Sequence, residues 1–161
     1  MRKLSIIFIA MLITGTSYAV DNSSKLYLGG GLGLYSVDSL AFSDGTGYQI
    51  FAGFDLPVKM GKGKLSIEAG YMDSGDIDYG VGWWTVPVYR AKGIWSTAVF
   101  SLPVQRKLNV LARAGLDVGD DDGLMIGAGL GFNISNKMEI RGEYVIRDIV
   151  NSLQLNFVMR M

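Results

Sequence analysis

From residue 26 onward, apolar side chains recur at every second position, and the runs are interrupted by clusters of Gly, Asp, Asn and Pro. A period of two is the mark of a strand, because successive side chains leave a pleated backbone on opposite faces. Eight such segments can be read, at residues 26–37, 47–56, 65–72, 94–102, 108–117, 124–134, 138–147 and 152–161. In the first, Leu26, Leu28, Leu32 and Leu34 alternate with Tyr27, Gly29, Gly31, Gly33 and Tyr35. In the seventh, Met138, Ile140, Tyr144 and Ile146 alternate with Glu139, Arg141, Glu143 and Arg147. Segments of about ten residues are long enough to cross a bilayer as tilted strands. No apolar stripe of 3.6-residue period occurs after residue 20, so the pattern predicts an all-β chain.

The connections alternate in length. Short ones fall at residues 58–63, 104–106 and 135–136, and longer or more acidic ones at 38–46, 73–89, 119–123 and 148–151. In outer-membrane barrels short turns face the periplasm and long loops the exterior. A weak internal repeat keeps the same register: Phe54-Asp55-Leu56-Pro57-Val58 returns as Phe100-Ser101-Leu102-Pro103-Val104, each followed by a basic turn and a strand. The expected fold is an eight-stranded antiparallel up-and-down transmembrane β-barrel. Closure pairs every backbone N–H and C=O inside hydrocarbon, which an open sheet cannot do. One face of nearly every strand carries Leu, Ile, Ala, Phe and Tyr, and the other carries glycines and charges of both signs. A soluble ligand-binding barrel keeps its apolar residues inside; a membrane barrel reverses this and turns glycines and charges into a narrow lumen.

Ahead of the first strand, Met1-Arg2-Lys3, the apolar run 4–13 and the small-residue site Ser17-Tyr18-Ala19 have the form of a secretory signal peptide. Residues 1–19 are therefore expected to be removed and residues 20–161 to form one barrel domain. What stays is slightly acidic, without the basic surplus that nucleic-acid binding needs. Cysteine is absent, so no disulfide framework holds an exported chain of this kind together. Mean hydropathy is positive although no apolar run beyond residue 20 has helix-spanning length, as happens when apolar residues are dispersed along strands.

On the polar face, Glu68, Arg113, Arg141 and Glu143 fall at mid-height, with Glu139 nearer the short turns and Asp117 and Arg147 nearer the long loops. Charges withdrawn from water need partners, so Glu68 and Glu143 are expected to pair with Arg113 and Arg141 in a network that plugs the lumen; separately hydrated charges are the alternative. Trp95 has the same parity, and a bulge near Gly93 would be needed to turn it toward lipid. The chain has no histidine, which removes the base that would activate a serine nucleophile. Structural metal sites built on Cys or His are excluded by composition, and no enzyme activity, cofactor or metal is expected. The outer loops carry Asp73, Asp76 and Asp78 and the triplet Asp120, Asp121 and Asp122, whose carboxylates suit either a divalent cation bridging to lipopolysaccharide phosphate or ordinary solvation. Adjacent Trp83 and Trp84 in the longest loop suit either an anchor for a partner or packing on the rim.

The run Asp121-Asp122-Gly123-Leu124-Met125-Ile126-Gly127-Ala128-Gly129-Leu130-Gly131-Phe132, followed by residues 138–144 and 152–161, resembles the last three strands of the eight-stranded outer membrane protein A-like (OmpA-like) barrel family, which includes small adhesion and opacity-type surface proteins. The resemblance covers essentially all of residues 20–161. It departs at the end, where the family commonly closes on an aromatic residue read by the barrel assembly machinery and this chain has Met161, with Phe157 retained. The resemblance implies the outer membrane of a Gram-negative cell envelope and lumen ion pairs at Glu68, Arg113, Arg141 and Glu143. It also implies contact with outer-membrane lipid, lipopolysaccharide, the assembly machinery and host or cell-surface ligands. The expected function is a structural barrel whose surface loops mediate adhesion or envelope interaction. A narrow, porin-like channel for small or hydrophobic solutes and a soluble periplasmic binding barrel are the alternatives.

Overall fold

Strand β1 (Leu26–Val37) is paired along both edges, to β2 (Gly45–Met60) on one side and to β10 (Val150–Arg160) on the other, so the sheet has no free edge. Between them run β3 (Gly63–Asp73), β6 (Lys92–Pro103), β7 (Leu108–Gly119), β8 (Gly123–Asn133) and β9 (Met138–Ile146), each antiparallel to its neighbours. The computed structural model describes residues 26–37, 44–81 and 84–161 and is a closed barrel of these eight strands. The signal-peptide segment and Trp83 lie outside the described residues.

Several boundaries differ from the sequence reading. Strand β2 runs on to Met60 because a tight turn at Gly61 (φ 66°) and Lys62 lets the ladder continue to its end. The register shift between Asp55 and Lys59 accommodates Pro57, which has no N–H to donate. Residues 73–89, read as a plain loop, contain a second sheet, the hairpin of β4 (Ile77–Val81) and β5 (Trp84–Tyr89). Its register pairs Tyr79 with Val86, Gly80 with Thr85 and Val81 with Trp84.

Alternation sorts the side chains cleanly. In β9, Glu139, Arg141, Glu143 and Val145 are buried while Met138, Ile140, Tyr144 and Ile146 are exposed. The outer surface shows Leu32 at 66%, Leu124 at 75% and Leu155 at 63% exposure, whereas Glu68 inside is at 0%. This inverts the polarity of a water-soluble barrel and fits one whose outer face meets acyl chains. Tyr48, Tyr71 and Tyr144 lie toward the long-loop end of that face, Phe54, Phe100 and Phe132 toward the short-turn end, as interfacial aromatic belts. Tyr48 and Tyr71 touch at 6.5 Å between ring centroids.

Eight strands enclose little space, and the lumen-facing glycines make room for it to be filled. Gly53 lies directly opposite Tyr27, and a Cβ there would collide with the tyrosine ring. Gly29 stands in the same relation to Phe51. On β8, Gly127, Gly129 and Gly131 face Arg113, Glu143 and Arg141 across the ladder, a thin wall against which long charged side chains pack. The lumen is not simply polar: Tyr27, Tyr35, Phe51, Met72, Trp95, Met125, Val145 and Val158 form an apolar cluster within it.

Leu155, between the two belts, should tolerate no charge. Leu155→Arg is expected to lower stability by about 2–4 kcal/mol, read from urea unfolding in phospholipid vesicles.

Candidate functional site

Glu68 is the hub of the lumen. Its Oε1 accepts hydrogen bonds from the Tyr27 hydroxyl (2.7 Å) and Arg141 Nη1 (2.5 Å), and its Oε2 accepts one from Arg113 Nη2 (3.2 Å). Arg113 Nη2 also lies 2.6 Å from Glu143 Oε2 but off the line of its N–H bonds, so that contact is coulombic and not a hydrogen bond. Arg141 Nε donates to Glu139 Oε2 (3.0 Å). The four side chains singled out in the sequence thus meet in one connected cluster, and Glu139 and Tyr27 belong to it as well.

The cluster extends downward and sideways. Arg160 Nη1 donates to Asp55 Oδ2 (2.6 Å), while the Arg160 and Arg141 guanidiniums sit 4.9 and 5.4 Å from the Tyr27 ring centroid. On the side of β10, Asn156 Nδ2 donates to Glu143 Oε1 (3.2 Å), and Gln49 Nε2 donates to both Asn156 and Gln154 at 2.8 Å. Above it, Trp95 faces the lumen, its ring 5.6 Å from Phe51 and 5.5 Å from the Arg113 guanidinium. No bulge turns it outward, because the β3–β6 and β6–β7 ladders pass through Trp95 in unbroken register. Nearer the long loops, Arg147 Nε donates to Asp117 Oδ2 (2.8 Å) and Nη1 to Ser152 Oγ (2.8 Å), a separate ion pair that sequence parity placed at this height without pairing its members. Tyr27 was the residue that parity alone undervalued; its signal was the glycine directly across from it.

At the long-loop rim the acidic residues act as ties. Asp73 accepts Arg90 Nε and Nη2, both at 2.8 Å, with Lys92 Nζ 3.4 Å away. This pairing with Asp73 above all holds the Arg90 guanidinium more firmly protonated than a free one. Asp120 accepts the Lys92 N–H (3.1 Å), and Asp122 accepts that of Gly119. Asp121 is buried and accepts the N–H groups of Ile149 (2.8 Å) and Val150 (2.9 Å), so it caps the β9–β10 connection instead of standing solvated. Burial, then Asp121 and Asp120, push the Tyr89 phenol pKa up. Among the described residues, no group of three His, Cys, Asp or Glu is arranged to hold a metal ion.

A family model for the outer membrane protein β-barrel domain matches residues 6–160. The chain belongs to that family. This outer-membrane barrel therefore has its short turns in the periplasm and the β4–β5 hairpin outside. No curated protein matches it in sequence. Among solved structures it is similar to the outer membrane protein Ail of Yersinia pestis in a phospholipid bilayer nanodisc, with a TM-score of 0.59 and 14% identity over 86% of this chain and 100% of that one. Neisserial surface protein A gives 0.52 and 10% over 88% of this chain and 100% of that one. The outer membrane enzyme PagL gives 0.51 and 16% over 84% of this chain and 99% of that one. At such identities the likeness is one of fold, and the fold carries both enzymes and non-enzymes.

Breaking the lumen cluster should cost far more than breaking the rim pair. Arg141→Met, which takes a shared guanidinium from buried Glu68 and Glu139 and leaves them only weaker partners, is expected to destabilise by about 3–5 kcal/mol. Arg90→Met, where the guanidinium is half-exposed and Asp73 keeps Lys92 beside it, should cost only about 1 kcal/mol in the same urea titration.

Proposed function

We propose that this outer-membrane barrel is a non-catalytic scaffold that presents the β4–β5 hairpin, whose sequence carries the adjacent Trp83 and Trp84, to ligands at the cell surface or in the envelope. The observation that carries this reading is the contrast between an interior filled by buried Arg141, Tyr27, Tyr35, Met72 and Glu68 and the structured element set at its outer mouth. A filled interior has no room for a solute, and Ile77 of the hairpin is itself fully buried. Tryptophan in an external loop supplies large contact area at small entropic cost, the usual anchor of an interface. Ail and Neisserial surface protein A, the latter a surface protein by its name, share the architecture.

The absence of histidine supports a non-catalytic role, since neither a serine nor a water would have the usual base. The Glu68 cluster is an internal plug that fixes the strands, not a reaction centre: each carboxylate is turned to an arginine or to amide and hydroxyl donors. Residues 1–19 act as the export leader, and the last strand, with Phe157 and Met161, is the segment offered to the barrel assembly machinery. Lipopolysaccharide and outer-membrane phospholipid surround the barrel, and host or cell-surface ligands meet the hairpin.

Replacing residues 77–89 by a Gly-Ser linker should leave heat-modifiable gel migration intact and lower binding to lipopolysaccharide vesicles, to reconstituted basement-membrane matrix or to cultured epithelial cells by about tenfold or more. Unchanged binding to all three would overturn the assignment. In planar bilayers the intact protein should show no reproducible single-channel openings; regular openings would move the reading to a narrow channel.

A further inference from the structure

The three periplasmic turns are basic and contain no acidic side chain. Residues 57–64 carry Lys59, Lys62 and Lys64, residues 103–108 carry Arg106 and Lys107, and residues 134–138 carry Lys137. Lys62, Lys64, Arg106, Lys107 and Lys137 are exposed, and the ion pairs among the described residues use none of them. The acidic side chains next to these turns in sequence, Asp55 and Glu139, have lumen parity and are held by Arg160 and Arg141. At the outer rim the arrangement is opposite, with Arg90 paired to Asp73 and Asp76 and Lys92 to Asp73.

Two further features indicate what the free cations meet. The ladder pairs Lys59 with Lys64 along the backbone, so the first turn brings two basic residues to one rung and adds Lys62 just beyond it. Lys107 Nζ stands 6.0 Å from the centroid of Phe132, a member of the lipid-facing belt. That ammonium is therefore at the edge of the hydrocarbon, at headgroup depth, and not out in the periplasm.

We propose that these turns form a collar that binds the phosphate headgroups of anionic phospholipid in the inner leaflet of the outer membrane. The collar draws on three separate turns around the rim, which suits several headgroups encircling the barrel better than one macromolecule on a single face. Lysine dominates it, and lysine binds phosphate as a mobile point charge without demanding one geometry. Juxtamembrane clusters of this kind concentrate anionic lipid at a membrane surface.

The test uses the full-length protein refolded in detergent, exchanged with an equimolar mixture of phosphatidylglycerol and phosphatidylcholine and examined by native mass spectrometry. The wild type should retain phosphatidylglycerol preferentially. A variant with K62Q, K64Q, R106Q, K107Q and K137Q, folded by the criterion of heat-modifiable migration, should lose at least about fivefold of that preference. The outer-rim variant R90Q/K92Q should keep it. Equal retention of the two lipids by the wild type, or a preference that survives the five substitutions, overturns the proposal. So does a collar that distinguishes no lipid but makes the wild type, and not the variant, sediment with purified peptidoglycan sacculi; the rim would then be a cell-wall contact.

Discussion

Hydrocarbon offers no partner to a peptide group, and that single constraint organises this protein. An open sheet would leave two rows of N–H and C=O groups unpaired; the ladder between β1 and β10, running from Tyr27 with Arg160 to Val37 with Val150, removes both rows at once. Everything else follows from closing at eight strands. The circumference is small, so the interior is only as wide as two layers of side chains. What points inward must therefore fit, and what points outward must be apolar.

The inward set solves the fit by complementarity across the ladder. Bulky residues sit opposite glycines, as Tyr27 does with Gly53 and Glu143 with Gly129. Charge is concentrated where it can be paired, with Glu68 receiving two guanidiniums and a phenol. Burying such groups costs desolvation energy that an apolar filling would avoid. They confer instead a penalty against slippage: shifting β9 by one residue would carry Glu139, Arg141 and Glu143 into lipid. The ionic interior thus specifies which face is the inside, while the apolar members of the lumen, Phe51, Trp95 and Met125 among them, exclude water around it.

The two rims use charge differently. Outside, carboxylates are consumed in structure: Asp121 caps backbone N–H groups and Asp73 clasps Arg90, so the acidic loops hold the hairpin and the β9–β10 connection in place. On the periplasmic side the cations are left free at the level where headgroups begin. A barrel that ties Asp73, Asp120, Asp121 and Asp122 into structure above and leaves its bases unpaired below is electrically polar along its axis, in the sign of its charges as well as in their partners.

The strand number, the alternation, the inside and outside faces, and the height of Glu68, Arg113, Arg141 and Glu143 were all legible in the sequence. A period of two is a one-dimensional property, and it survives any global arrangement of the strands. What the sequence could not decide were relations across the barrel. Shared parity and height led to the expectation that Glu68 pairs with an arginine, but which partners it reaches, Arg141 73 residues away among them, instead of standing hydrated, depends on how the closed sheet curves. Pairing of Asp117 with Arg147 and burial of Asp121 under the β9–β10 connection depend on the same closure. The β4–β5 hairpin was missed because its runs are short and interrupted by Gly and Pro, so local pattern was too weak and only pairing between its strands reveals it. Trp95 shows the boundary between the two kinds of knowledge: its parity was local, but the absence of a bulge beside it was settled by two neighbouring ladders.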